Sequence, residues 1–319
     1  MILVTGGAGF IGSHVCEALL KKGEGVVCVD DLNSYYNPKY KLENLSILKK
    51  YRNFKFYKLD ISKSKQLETV FKKNKIDKII HLAARAGVRA SIEHPYLYEH
   101  VDIVGTLNLL ELARKNKVKQ FIFGSSSSVY GVNKKIPFSE SDPINNPISP
   151  YAACKVSGEA FCRDYSYLYK IPMICLRFFT VYGPRGRPDM APYKFTQLIS
   201  EGKEVLFYGN GKTKRDYTYV SDIVSGILSA LNKKFDFEIF NLGDNHAVEL
   251  KKLITLIEQN VGKKAKLKKM PLQPGDVPIT YADLTKSRKM LGYKPKVKIE
   301  EGIKKVVEWY KENRMKNKS

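Results

Sequence analysis

No uninterrupted apolar stretch in the 319 residues approaches the ~18 that a membrane-spanning helix needs, so the chain does not read as a membrane protein. Cysteine is sparse. Cys16, Cys28, Cys154, Cys162 and Cys175 contain no C-x-x-C pair and sit in apolar stretches, which excludes a disulfide scaffold and predicts reduced core thiols. The five histidines, His14, His81, His94, His100 and His246, lack H-x-x-x-H spacing or a nearby Cys partner, so no metal site is expected. Neither a G-x-S-x-G elbow nor a G-x-x-x-x-G-K-[ST] loop occurs, which argues against hydrolase and NTPase chemistry. Acidic residues are also scarce, 32 against 55 Lys and Arg, and the net charge of +23 suggests an anionic partner. From Lys251 onward there are 19 basic and 7 acidic residues, mostly single lysines on amphipathic patterns, which reads as a solvated surface and not as a nucleic-acid groove. The opening Met1-Ile2-Leu3-Val4 leads straight into a glycine turn, leaving no room for a secretory leader, so a cytoplasmic protein is expected.

What the chain does have is alternation. Short apolar runs at Ile2–Val4, Gly25–Val29, Phe54–Tyr57, Lys78–Leu82, Gln120–Phe123 and Met173–Arg177 are separated by segments of helical period such as Ser13–Lys22, Ser64–Asn74 and Tyr98–Lys115. Strand and helix in alternation imply a doubly wound α/β fold with a parallel sheet covered on both faces. The rhythm changes after Arg177. A loop over Tyr182–Pro192 precedes a helix at Tyr193–Glu201, Gly209-Asn210-Gly211 signals a hairpin, and helices are expected at Leu250–Val261 and Ile299–Asn313. Phe237–Leu242 reads as one more strand returning to the first sheet. The expected division is therefore interleaved, with residues 1–178 and 217–245 forming a Rossmann domain and residues 179–216 and 246–319 a smaller substrate domain.

Two constellations carry chemistry. Gly6, Gly9 and Gly12 follow a strand and open a helix, and with Phe10 and Ile11 they form a phosphate-binding turn in which free helix N–H groups and the helix dipole favour an anion. Asp30 lies 18 residues beyond Gly12 at the end of the second strand, where a carboxylate accepts from a ribose diol. Asp30 and Asp31 in a row would repel a 2′-phosphate, which predicts NAD and not NADP. Asp60 and Ile61, after the third strand, are placed to meet the adenine edge or to cap the next helix. The second constellation is Ser125-Ser126-Ser127-Ser128 after a strand, followed by Tyr151 and Lys155 one helical turn apart on one face. An ammonium group and an oxidised nicotinamide both favour the phenolate, so Tyr151 is the candidate base, with Ser126 relaying the proton and Lys155 also holding the nicotinamide ribose.

On these residues the sequence resembles the extended short-chain dehydrogenase/reductases, the nucleotide-sugar epimerases and dehydratases, over essentially its whole length. The carrying motifs are TGGAGFIGSH, the Ser-Ser-Val-Tyr-Gly stretch, YxxxK, and Arg215-Asp216-Tyr217-Thr218-Tyr219-Val220. Leu176–Met190 and Gln273–Pro278 look most like UDP-glucuronate 4-epimerases. The resemblance implies Ser126, Tyr151 and Lys155 as the catalytic triad and Ala83 and Ala84 as further NAD contacts. It places Arg215 and Asp276 on the UDP, and Leu206 and Tyr208 beside the uracil. It further implies a homodimer that pairs helices near Tyr98–Lys115 and Pro150–Lys170. Two residues depart from relatives: Asp102 stands where Asn is frequent and Arg85 where Gln is frequent. Thr180 occupies a position where UDP-galactose 4-epimerases typically carry Asn.

The implied reaction removes hydride from C4 of UDP-glucuronate and returns it to the opposite face, giving UDP-galacturonate. Its oxidised intermediate is a β-keto acid, which loses CO2 unless the carboxylate is restrained. Ser127, Ser128 and Thr180 are candidate hydroxyl donors for that restraint. Arg187 is a candidate partner for the carboxylate or the phosphates, and Arg89 and Ser91 are further candidates. Epimerisation of UDP-glucose or UDP-N-acetylglucosamine, or decarboxylation of UDP-glucuronate, would use the same oxidation. A non-catalytic dinucleotide sensor that binds nucleic acid is the alternative of another class.

Overall fold

The computed structural model describes residues 1–271 and 277–315. Its strands are β1 (Ile2–Thr5), β2 (Val26–Asp30), β3 (Phe54–Lys58), β4 (Lys78–His81), β5 (Gln120–Ser126), β6 (Met173–Phe178), β7 (Thr180–Tyr182), β8 (Glu204–Tyr208), β9 (Lys214–Tyr219), β10 (Phe237–Leu242), β11 (Ala247–Glu249), β12 (Lys266–Met270) and β13 (Ile279–Thr280). The helices are α1 (Phe10–Lys21), α2 (Lys39–Leu48), α3 (Ser64–Lys73), α4 (Val88–Glu93), α5 (Pro95–Tyr98), α6 (Gly105–Lys115), α7 (Pro150–Tyr169), α8 (Ala191–Ser200), α9 (Val220–Leu231), α10 (Leu250–Val261), α11 (Thr285–Leu291) and α12 (Ile299–Tyr310).

Seven strands form one sheet in the order β10-β6-β5-β4-β1-β2-β3, with every neighbouring pair parallel. Both faces of this sheet are apolar, and successive residues serve different cores. Val4, Ile80, Ile122 and Ile174 belong to one packed cluster, while Leu3, Ile79, Phe121 and Met173 belong to the other. That is why these strands read as continuous apolar runs in place of an alternating pattern. The first cluster continues through Tyr182, Phe195, Val205, Leu253 and Val306 into the C-terminal elements, so one core joins the sheet to what covers its carboxyl end. The strand order reverses at β1, between β2 and β4, and that crevice is where open α/β sheets bind ligands.

The remaining strands form two small sheets. In one, β9 pairs with β7, β11 and β13, and in the other β8 pairs with β12. The expected hairpin at Gly209–Gly211 is therefore corrected. The turn is real, with positive φ at Gly209 and Gly211, but β8 and β9 enter different sheets. Turn composition reports a bend in the chain and does not report which strand pairs next. The helix expected over Tyr98–Lys115 is likewise interrupted: Glu99–Val104 forms a π-helical segment between α5 and α6. β9, at Lys214–Tyr219, straddles the boundary expected at 216/217. Among the described residues no helix is long and apolar enough to cross a membrane, and all five cysteines are buried and free.

Candidate active site

The β1–α1 turn is tight because only glycine fits it. Gly6 has φ +67°, and a Cβ there would lie 2.8 Å from the Ala83 amide nitrogen at the end of β4. A Cβ on Gly12 would collide with the Gly6 carbonyl oxygen, so α1 starts directly against the turn. The helix has no side-chain cap at Gly9, which leaves the first-turn N–H groups of Phe10, Ile11 and Gly12 facing the crevice for an anion. At the end of β2 the Asp30 carboxylate accepts from Ala8 N–H (3.2 Å), Leu32 N–H (2.9 Å) and the buried Lys41 ammonium (2.9 Å). Asp31 pairs with Arg85 (3.2 Å) and faces Lys41 at 3.6 Å. The two acids are thus paired with two cations, so they do not stand as bare repelling charges at the end of β2. Asp60 accepts from Ser62 N–H (2.8 Å) while lining the same cleft as Ile61, Ala83 and Ala84.

The serines extend from the other side of the switch point. β5 carries Ser125 and Ser126 to its end, and Ser127–Tyr130 turns back as a single 3-10 turn. Ser126 Oγ accepts from Ser128 N–H and donates to Ser128 Oγ, both at 3.1 Å, which fixes its position. The facing helix α7 is started by Ser149, whose Oγ accepts from Ala152 N–H (3.1 Å), with Pro150 at its first position. This cap sets where Tyr151 and Lys155 point. Lys155 is buried, donates to Gly124 O (2.9 Å), and holds its Nζ 5.8 Å from the Tyr151 ring centroid. The Tyr98 ring stands edge-on to Tyr151 at 6.3 Å.

A cleft of about 660 Å³ joins these halves, and the described candidate residues other than Ser91 line it. Ser127 and Ser128 line it from the turn after β5 and Arg89 from α4, while Thr180, Arg187, Leu206, Tyr208 and Arg215 approach from the segments beyond β6, with the Arg89 guanidinium 5.4 Å from the Tyr208 ring centroid. Asp276 lies outside the described residues. Ser91 is turned away: it is buried and donates to Val88 O (2.6 Å). Arg187 is not bare, because both arms of its fork meet Asp189, Nε–Oδ1 at 3.0 Å and Nη2–Oδ2 at 2.6 Å. His81 is bonded at both ring nitrogens, to Thr5 Oγ1 (2.7 Å) and Thr106 Oγ1 (2.9 Å), and burial lowers its pKa to about 3, so it stays a neutral structural residue.

Lys41, Tyr98 and Asp189 were not singled out from sequence. Lys41 sits mid-helix among charged residues, where a buried and a solvated lysine have the same local pattern. Tyr98 lies in an ordinary apolar stretch. Asp189 falls two residues after Arg187 in the quoted motif, and that spacing was the one available signal.

The π-helical segment carries Asp102 into the interior, 3% exposed, behind the cleft. One oxygen accepts from Arg85 N–H (2.7 Å), and the other has no hydrogen-bond partner among the described residues. Burial raises its pKa to about 7, with Lys155 and the Arg85 contacts opposing the rise. The folded chain therefore keeps a proton between about pH 4 and 7 that the unfolded chain has released. Stability falls across that window and stays reduced above it. Asp102→Asn preserves the acceptor and removes the charge, so its melting temperature should exceed the parent's above pH 7, with the gain vanishing near pH 4. Thermal melts across that range check this, and a gain that does not vary with pH counts against it.

The crevice, the glycine turn and the Tyr/Lys face together define a dinucleotide-binding enzyme of the extended short-chain dehydrogenase/reductase type. The chain matches the GDP-mannose 4,6 dehydratase family over residues 3–306 and belongs to that family. It is 45% identical to a UDP-glucuronate 4-epimerase of Thermodesulfobacterium geofontis, over 98% of this chain and 96% of that one. A UDP-glucuronic acid 4-epimerase of Bacillus cereus, solved with UDP-glucuronic acid and NAD, superposes with a TM-score of 0.90 at 37% identity, covering 98% of this chain and 99% of that one. A UDP-glucose 4-epimerase of Thermotoga maritima solved with UDP-glucose gives a TM-score of 0.90 at 38% identity, with 98% coverage of both chains.

Proposed function

We propose that this protein is an NAD-dependent isomerase that interconverts UDP-glucuronate and UDP-galacturonate. Identity is higher to the UDP-glucuronate 4-epimerase of Thermodesulfobacterium geofontis, 45%, than to the UDP-glucose 4-epimerase of Thermotoga maritima, 38%, and the site supports the same reading. The carrying observation is that the hydroxyl-bearing residues Ser127, Ser128 and Thr180 and the guanidinium of Arg187 line the same cleft as Tyr151. A hydroxyl row and a cation suit a carboxylate that has to be held while the neighbouring carbon is a ketone.

Gly6, Gly9, Phe10, Ile11, Gly12, Asp30, Asp60, Ile61, Ala83 and Ala84 would hold the dinucleotide, together with Tyr151 and Lys155. NAD bound there supplies the acceptor and donor of the C4 hydride. Tyr151 takes the C4 hydroxyl proton, Ser126 lies beside that path, and Lys155 sets its ammonium 5.8 Å from the Tyr151 ring centroid. Arg215 and Asp276 are assigned to the UDP, Leu206 and Tyr208 to the uracil, and Arg89 to the anionic end of the substrate. Residues 1–178 and 217–245 serve the cofactor, and residues 179–216 and 246–319 serve the UDP-sugar. Exposed Tyr96, Leu97, Tyr167 and Leu168 near α5 and the end of α7 support a homodimer through these helices, which light scattering in solution tests. Buried free thiols suit a reducing, cytoplasmic setting.

Incubation with UDP-glucuronate should yield UDP-galacturonate without stoichiometric NADH or CO2. Steady CO2 release with UDP-pentose formation would replace this reading by a decarboxylase. Arg187→Ala should weaken UDP-glucuronate more than UDP-glucose, by roughly tenfold in apparent affinity, because a charge-assisted contact is lost only for the acid. Calorimetric titration of both ligands checks this, and equal losses would move Arg187 to the diphosphate.

A further inference from the structure

In the main sheet β1 lies between β2 and β4, so the chain just beyond β2 and the chain just beyond β4 form the two banks of the crevice above the glycine turn. The diphosphate of a dinucleotide rests on that turn. One ion pair crosses from bank to bank. Arg85 Nη2, beyond β4, meets Asp31 Oδ2, beyond β2, at 3.2 Å, and both residues line the cleft with side chains 14% and 23% exposed.

Each end of this bridge is fixed. The Arg85 backbone N–H is held by buried Asp102 at 2.7 Å, and Asp31 accepts from Asn33 N–H at 3.0 Å with Lys41 at 3.6 Å. Arg85 Nε is buried with no hydrogen-bond partner among the described residues.

We infer that Arg85 is a cofactor-retaining residue: with Asp31 it straps the crevice, and the strap has to open before the dinucleotide can leave. A bridge of this kind acts mainly on the dissociation rate, because it must break on exit. The inference depends on the cofactor assignment and not on the identity of the sugar.

The test loads the full-length protein with NADH, mixes it with excess NAD+ as a trap, and follows the loss of bound NADH fluorescence, with no sugar present. Arg85→Gln should release NADH roughly tenfold faster than the parent, and Asp31→Asn about the same. The double variant should be no faster than either single one, since all three remove the same bridge. Added salt should speed release from the parent and leave the variants nearly unchanged. If Arg85→Gln does not fold, Asp31→Asn and the salt series carry the test. A rate within about twofold of the parent for the folded variants, effects that multiply in the double variant, or salt-insensitive release from the parent would each overturn the strap. A failure of UDP-glucuronate turnover leaves this readout untouched, so the two proposals fail separately.

Discussion

Tyr151→Phe is expected to lower turnover by roughly 10²–10⁴-fold, the usual worth of a positioned proton-transfer group. The substitution removes one oxygen and keeps the ring that Tyr98 contacts edge-on, so the cleft keeps its shape. The described neighbourhood holds no ready replacement. His81 is buried, bonded at both nitrogens and, with its pKa lowered to about 3, does not take up a proton near neutral pH. Asp102 is enclosed behind the cleft with one oxygen committed to Arg85 N–H. Ser126 is engaged with Ser128 and has no partner that would raise its basicity. Lys155, which donates to Gly124 O, lies closer to the Phe123 ring than to the Tyr151 ring, at 5.0 against 5.8 Å. UDP affinity should stay near the parent's, because the oxygen removed is not among the groups assigned to the nucleotide. Product formation from UDP-glucuronate and calorimetric titration with UDP measure the two parts. Near-parental turnover would remove Tyr151 from the role of base.

The legible parts of the molecule are those governed by local chemistry. A strand buried on both faces has to be apolar at every position, so Leu3-Val4 and Phe121-Ile122 announce themselves. A turn that excludes Cβ atoms has to be glycine at Gly6 and Gly12. Residues one helical turn apart share a face, and Ser149 marks where the helix carrying Tyr151 and Lys155 starts. What was not legible depends on distant segments meeting. Lys41 reaches Asp30 only because α2 packs back over the crevice, and Arg85 reaches Asp31 across 54 residues. The π-helical segment replaces part of a regular helix without a break in the apolar period, so Asp102 looked like a helix residue and is in fact a buried carboxylate. The sequence makes Arg187 a candidate partner for the carboxylate or the phosphates and does not show its pairing. Asp189 already engages it, so an incoming carboxylate has to share that guanidinium.

Glu159→Gln is expected to lower the unfolding free energy by about 3–5 kcal/mol, the cost of breaking a buried ion pair from one side. Glu159 lies one turn beyond Lys155 on α7 and meets Arg177 of β6 in a two-pronged contact, Nε–Oε1 at 2.9 Å and Nη2–Oε2 at 2.7 Å, with both side chains nearly inaccessible. Ser125 Oγ donates to the same carboxylate at 2.6 Å, the Arg177 guanidinium lies 4.8 Å from the Tyr130 ring centroid, and Tyr130 donates to Asn241 at 2.6 Å. The network thus locks the catalytic helix against β5, β6 and β10 beside the serine row. Removing the charge on Glu159 strands a guanidinium whose Nη1 already has no hydrogen-bond partner among the described residues and which is 2% exposed. Removing both charges, as in Glu159→Leu with Arg177→Met, should cost less than the two single losses combined, since neither partner is left uncompensated. Denaturant unfolding of the two single variants and the double variant gives the coupling. Single losses below about 1 kcal/mol would mean that water or a neighbouring acceptor reaches the site, and would reduce the pair to one more packing contact. A large coupling would instead make this pair, one turn beyond Lys155, a principal tie between α7 and β6.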